Sequence, residues 1–282
     1  MTALDTATIV DLKSRYPRAF SPAPGSRALR FVLIATGFGV ILYLCWALGL
    51  LSPSLLSGLG KLADFLGRMW PPAFHDQESA QAIPWGIVET VAMAFAGTVC
   101  ASVISVPLGF LGARTVVGNP LLHFLIRRVF DFFRGVPALI WALVFTRAVG
   151  LGPMTGVLAF IAADFAAFSK LNAEAIENAD QRAIDGVRAT GAARLQVLRF
   201  GLLPQVLPVM LSQMLFGFES NVRAAAILGI VGAGGIGRIL DQSMHLFYWR
   251  EVAMIILLFL VTVAVIDTGS RWLRQRLIGR NS

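Results

Sequence analysis

Charge is scarce in this chain of 282 residues. Only 14% are Asp, Glu, Lys or Arg, against 56% hydrophobic, and the mean hydropathy is +0.72. A soluble domain of this length cannot be covered by so few polar groups, which excludes the water-soluble classes and leaves an all-α integral membrane protein. Cysteine is nearly absent. Cys45 and Cys100 each lie in an apolar run, which excludes a disulfide framework and a thiolate metal site. The three histidines, His75, His123 and His245, are too scattered for ligand spacing, and no Ser/His/Asp set clusters, so neither a metal nor an enzymatic site is expected. Acidic residues are outnumbered 16 to 24 by Lys and Arg. That surplus sits between apolar segments, which suits membrane-flanking loops and argues against a nucleic-acid partner.

About six stretches are apolar enough to cross a bilayer. Phe31 to Leu51 carries no charge over 21 residues, about the length that spans the hydrocarbon core. The connection from Ser52 to Trp85 holds four prolines and an amphipathic patch, Leu55 to Trp70, suited to the membrane surface. Further spans are expected at about 87–111, 136–149, 154–168, 202–231 and 252–266, the last extending to about Trp272. Between the second and third, residues 114–134 read as an amphipathic surface helix, with Arg127 and Arg128 placed to anchor it on lipid headgroups. The domain plan is a tail at 1–30, a membrane domain at 31–272 and a second tail at 273–282. Eighteen Lys and Arg fall in the N-terminal tail, the connections after spans two and four and the stretch from Arg271 onward, and four in the opposite connections. The positive-inside rule therefore puts both termini in the cytoplasm.

One connection, about 170–204, is unusually ordered for a membrane loop. Asn178 to Thr190 favours a helix, with Arg182, Asp185 and Arg188 three residues apart and so on one face. Gly191 suits a sharp turn, Ala192 to Phe200 a second short helix, and Leu203-Pro204 a stop or redirection into the membrane. The product is a helix–turn–helix bracket on the cytoplasmic side.

The spacing of this bracket resembles the cytoplasmic loop of permease subunits of bacterial ABC importers. That loop begins Glu-Ala-Ala, has a Gly four positions after the last of these, and ends Ile-x-Leu-Pro. Here Asp185-Gly186-Val187 stands at the first place, Gly191 at the second, and Gly201, Leu203 and Pro204 at the third, with Gly186, Val187 and Gly201 departing from the pattern. Arg134-Gly135-Val136-Pro137, Leu203-Pro204-Gln205-Val206-Leu207-Pro208 and the run from Asn221 to Gly237 are similar to the phosphonate branch. The resemblance covers roughly residues 30–275. It implies the type I permease architecture, a second copy of the chain, two cytoplasmic ATPase subunits, a periplasmic binding protein and residence in the inner membrane. It implies that ATP and Mg bind the partner ATPase and that this chain holds no cofactor. Asp185, Gly186, Arg188, Gly191, Ala192, Leu203 and Pro204 become the coupling loop. The cargo it implies is a phosphonate or another small oxyanion such as phosphite or hypophosphite. A stand-alone secondary transporter is the other reading, for which the charged residues within the spans are few.

Two further groups draw notice. Glu219 and Arg223 lie four apart in the fifth span, where an isolated charge costs about 2.5–3.5 kcal/mol. Either they pair with each other, or Arg223, with Ser220 and Asn221, faces a path for an anion. Gly232-Ala233-Gly234-Gly235-Ile236-Gly237 matches G-x-G-x-x-G but follows a membrane helix, so close packing or a tight turn, and with it a candidate gate, is expected in place of a dinucleotide site.

Overall fold

A computed structural model of the chain describes Arg15 and residues 26–49 and 53–278. Most of the expected N-terminal tail and the end of the C-terminal one lie outside these residues. Every regular element among those described is helical. The chain divides into two units, Met1–Gly67 and Arg68–Ser282.

The first unit holds α1 (Ser26–Ala47) and most of α2 (Pro53–Met69). From Leu29 to Ala47 the helix is uncharged except for Arg30, has a mean hydropathy of 1.9 and buries none of its side chains. A helix apolar on every side needs lipid around it. Tyr43 and Trp46 meet near its end, as interfacial aromatics do. On α2, Leu62, Phe65 and Leu66 alternate with Lys61, Asp64 and Arg68 at helical spacing, which makes it amphipathic.

The second unit is built on α3 (Gln77–Gly112), about 54 Å long at 1.5 Å per residue. It starts ten residues before the expected span because Asp76 caps it, accepting from the Ser79 N–H at 2.7 Å. The same bond holds the Asp76 carboxyl below its ordinary range. Pro84, expected in the connection, lies inside this helix. The buried face of α3 is a ladder of small residues that includes Gly86, Gly97, Ala101, Gly109 and Gly112. A Cβ on Gly97 would come within 2.6 Å of Phe160 Cβ, and one on Gly109 within 2.6 Å of Asn172 Cβ. Small residues let α3 and α6 (Pro153–Glu177) approach closely, the usual solution where lipid offers no hydrophobic drive.

Between them, α4 (Pro120–Arg134) and α5 (Ala138–Val149) are bent by 81° at Gly135-Val136-Pro137. At about 18 Å, α5 alone is too short to cross the membrane. The described residues hold five helices long and apolar enough to cross a membrane, and six crossings where this bent pair is taken as one; α4, expected to lie on the surface, then forms the first arm of the third crossing. Phe133 stacks on Trp141 with centroids 5.5 Å apart and meets Phe165 at 4.9 Å, fastening the elbow to α6.

The fourth span does not end near Phe168 as its composition suggests, because α6 continues to Glu177. Lys170 reaches Asp131 at 2.6 Å and Glu177 reaches Arg127 at 2.9 Å, so these two late charges have partners on α4. After α7 (Gln181–Ala189) and α8 (Arg194–Val197), a π-helical turn at Leu198–Leu202 runs directly into α9 (Leu203–Leu228). A second π turn, Gly229–Ala233, leads to α10 (Gly235–His245), and α11 (Trp249–Ile278) closes the unit six residues beyond the expected limit. Phe160, Met93, Val222 and Leu228 fill the centre between α3, α6 and α9.

Candidate functional site

The bracket forms as its spacing predicts, with one correction. Asp180 caps α7 by accepting from the Arg182 N–H at 2.9 Å, and Gly191 turns the chain at φ +78°. Leu203-Pro204 does not stop the second helix. The Leu203 N–H donates to the Leu198 carbonyl five residues back, and that widened turn absorbs the clash a proline ring makes with the carbonyl four residues earlier. The bracket therefore passes into α9 without a break.

Its inner face is bolted to the unit. Ile184, Val197, Leu202, Val206 and Met210 bury together with Ile176 and Ala173. Gly201, the departure from the usual Ile, sits under α7. A Cβ there would lie 3.2 Å from Ile184 Cα, so glycine lets the helix rest on the π turn. The Asp180 N–H donates to Gln205 Oε1 at 2.8 Å, and Gln205 Nε2 donates to the Gly201 carbonyl at 2.7 Å, which pins the root. Ala192 is half-buried on this side, with Leu203 and Pro204 at the root. The outer face carries Asp185, Gly186, Arg188 and Gly191, all exposed or half-exposed along the bracket's free side. Asp185 and Arg188 pair at 2.8 Å with side chains 62% and 66% exposed, and a Cβ on Gly186 would meet nothing within 4 Å. Exposed Leu195 and Phe200, which the sequence does not set apart from the buried Val197 and Leu202 beside them, add apolar area nearby.

Arg127 is not a headgroup anchor. Its Nη2 bridges both oxygens of Glu177 at 2.9 Å, and Glu177 also accepts from the Arg114 N–H at 2.7 Å. Arg128 stays exposed, 3.5 Å from Asp131.

In the fifth span, Glu219 and Arg223 do not pair. Both reach across to α11, Glu219 to Arg274 and Arg223 to Asp267. Two antiparallel helices offer each charge a closer opposite partner than a neighbour one turn away on its own helix. Glu219 and Asn221 are buried. Asn221 donates to Thr98 Oγ1 at 2.9 Å and to the Asp164 carboxylate of α6. Ser220 and Arg223 instead share an exposed stripe with Phe216, Ile227 and Ile230. Asp164 and Asp267 carry no signal in the sequence. Each is a lone acid in an apolar run, and only the fold supplies its partner.

The glycine run is a packed reversal. Gly232 and Gly234 take φ +104° and +83°. Gly237 lies against Gly229, so close that a Cβ on Gly229 would stand 2.6 Å from Gly237 Cα. Glu89 accepts from the Gly235 N–H at 3.2 Å and Thr90 Oγ1 from the Ile236 N–H at 2.8 Å, so α3 caps α10 where a dinucleotide phosphate would sit in a Rossmann turn.

Five to six apolar spans and a rooted bracket with an open outer face are the architecture of an importer permease, and the relatives make the chain a non-catalytic permease subunit of a transporter whose ATP is hydrolysed by a separate ATPase. Residues 105–279 match the family of binding-protein-dependent transport system inner membrane components, and the chain belongs to it, within the phosphonate branch of ABC importer permeases of the inner membrane. It is 38% identical over 245 residues to the phosphite transport system permease protein PtxC of Stutzerimonas stutzeri, covering 86% of this chain and 87% of that one. It is 33% identical to the phosphate-import permease protein PhnE of Mycolicibacterium smegmatis over 83% of this chain and 43% of that one. Among solved structures, an inward-facing MetNI methionine ABC transporter matches 72% of this chain and 99% of that chain with a TM-score of 0.62 at 23% identity, which speaks to fold alone.

Proposed function

We propose that this chain is one of two identical permease subunits enclosing a path that carries small phosphorus oxyanions, phosphite and phosphonates among them, into the cytoplasm. One observation carries the reading: Arg223 lies in a membrane span, yet its side chain is 46% exposed. Lipid tails are a costly neighbour for a guanidinium, so this face belongs against a second subunit and the wet path between the two. A guanidinium binds tetrahedral oxyanions through paired N–H donors. Phosphite and phosphate, named for the two relatives above, share that chemistry. Ser220, on the same stripe, adds a hydroxyl. Glu219 and Asn221 serve the path indirectly, by holding α9 to its neighbours.

Eighteen cationic residues against four favour an orientation with both termini and the bracket in the cytoplasm. There Asp185, Gly186, Arg188 and Gly191 meet one of two ATPase subunits that carry ATP and Mg. Ala192, Leu203 and Pro204 hold the root that receives the push. The turn at Gly232, Gly234, Gly235 and Gly237 lies toward the other surface, where a periplasmic binding protein delivers cargo, and its close packing suits a gate. The test is uptake of labelled phosphite and methylphosphonate into vesicles that hold the complete system. Arg223→Gln should lower uptake about ten- to a hundredfold while the complex still assembles, matching the loss of a charge-assisted pair. Undiminished uptake would overturn the assignment.

A further inference from the structure

The grip on Arg223 is uneven. Asp267 of α11 engages only one guanidinium nitrogen, Nη1, which lies 3.0 Å from Oδ1 and 3.3 Å from Oδ2. No other described group bonds the Nε–H and Nη2–H edge. That edge is the parallel pair of donors that grips carboxylate and phosphate oxygens two at a time. The pair is also open, with side chains 46% and 32% exposed. The companion pair between the same helices is closed, with Glu219 8% and Arg274 25% exposed.

We propose that Asp267 is a positioning and affinity-limiting residue for oxyanion transfer. It turns the side-on edge of Arg223 toward the path and weakens the hold of that edge on an anion. The proposal rests on the reading of Arg223 given above. The reasoning concerns charge and release. A path residue must bind cargo well enough to admit it and loosely enough to let it go. An unopposed guanidinium within a membrane span holds an oxyanion too firmly, even on a wet path, and is itself expensive when the path is empty. A carboxylate fixed on one nitrogen cancels part of the charge in both states and leaves the two-donor edge free. Glu219 cannot do this, because its carboxylate is buried against Arg274.

The test measures binding of phosphite and of methylphosphonate to the permease–ATPase complex in lipid nanodiscs, without the binding protein, by broadening of their ³¹P resonances. Asp267→Asn keeps the shape and an acceptor oxygen but removes the charge. It should tighten binding about three- to tenfold, the effect of one charge across roughly 6 Å of a wet site. A residue that merely ties α9 to α11 would leave binding unchanged or weaken it, and either result overturns the proposal. Arg223→Lys supplies a second reading if the Asn variant does not assemble. A single ammonium cannot serve Asp267 and an anion through separate edges, so binding should fall about tenfold although the charge is kept, and undiminished binding overturns the proposal. Arg223→Gln separates the two levels. Binding that survives it sinks the Arg223 reading itself, whereas binding lost with Arg223→Gln and untouched by Asp267→Asn sinks this proposal alone.

Discussion

Replacing Gly186 with leucine separates folding from docking on the bracket. Gly186 is the sixth of nine residues in α7, has ordinary helical geometry, and points its α-hydrogens into open space, with nothing within 4 Å of the place a Cβ would occupy. No contact within the chain is lost by adding a side chain there. Glycine in a helix interior is about 0.8–1 kcal/mol less favourable than alanine, and leucine ranks close to alanine, so the change should stabilise α7 by nearly that amount. The free permease should therefore melt at an equal or higher temperature. An ATPase surface seated on α7 would meet the added isobutyl group beside the exposed Asp185–Arg188 pair. Overpacking of a fitted contact costs about 1–3 kcal/mol, so co-purification of the ATPase should fall about five- to a hundredfold. The assay is tandem purification on a tagged permease, with a melting curve of the permease alone. A variant that keeps full ATPase binding would show that the outer face of α7 is not the docking surface, and a variant that melts lower would refute the reading of Gly186 as free of internal contacts.

Two further outcomes follow from the packing. Gly201→Ile restores the residue usual at that place in the loop but puts a Cβ 3.2 Å from Ile184 Cα, and should lower stability by about 1–3 kcal/mol, read as a drop in melting temperature. Asn221→Leu removes the donor to Asp164 and to Thr98 and leaves a half-buried carboxylate without its partner. It should cost about 1–3 kcal/mol, and Asp164→Asn in the same chain should recover most of the loss.

The spans and the bracket are legible in the sequence because each is a local pattern. Run length locates the five long helices, and one glycine with one Leu-Pro pair locates the loop, but the bent pair of α4 and α5 escapes it, since only its second arm reads as a span. Boundaries are less legible wherever a polar residue has a distant partner. Lys170 and Glu177 read as the start of a loop, but Asp131 and Arg127 on α4 keep them helical. Pro204 reads as a stop or a redirection, but what a proline does to a helix depends on the turn before it, and a π turn has no clear sequence signature. The same holds for charge pairing. Glu219 and Arg223 have ideal spacing for each other, and the pairs they make instead, with Arg274 and Asp267, are set by the antiparallel packing of α9 on α11. Gly201 shows the reverse case, a departure from a familiar motif that becomes intelligible once Ile184 is seen to rest on it.

The π turn at Leu198–Leu202 joins bracket and span into one helical rod from Arg194 to Leu228. Arg223 stands about 30 Å up that rod from Leu203. Pivoting it by about 10° at its foot would swing the guanidinium through roughly 5 Å, more than a hydrogen bond can stretch, so Asp267 on the neighbouring shaft is left behind. A stroke delivered by nucleotide hydrolysis would then need no relay of rearranging side chains to change the grip on cargo.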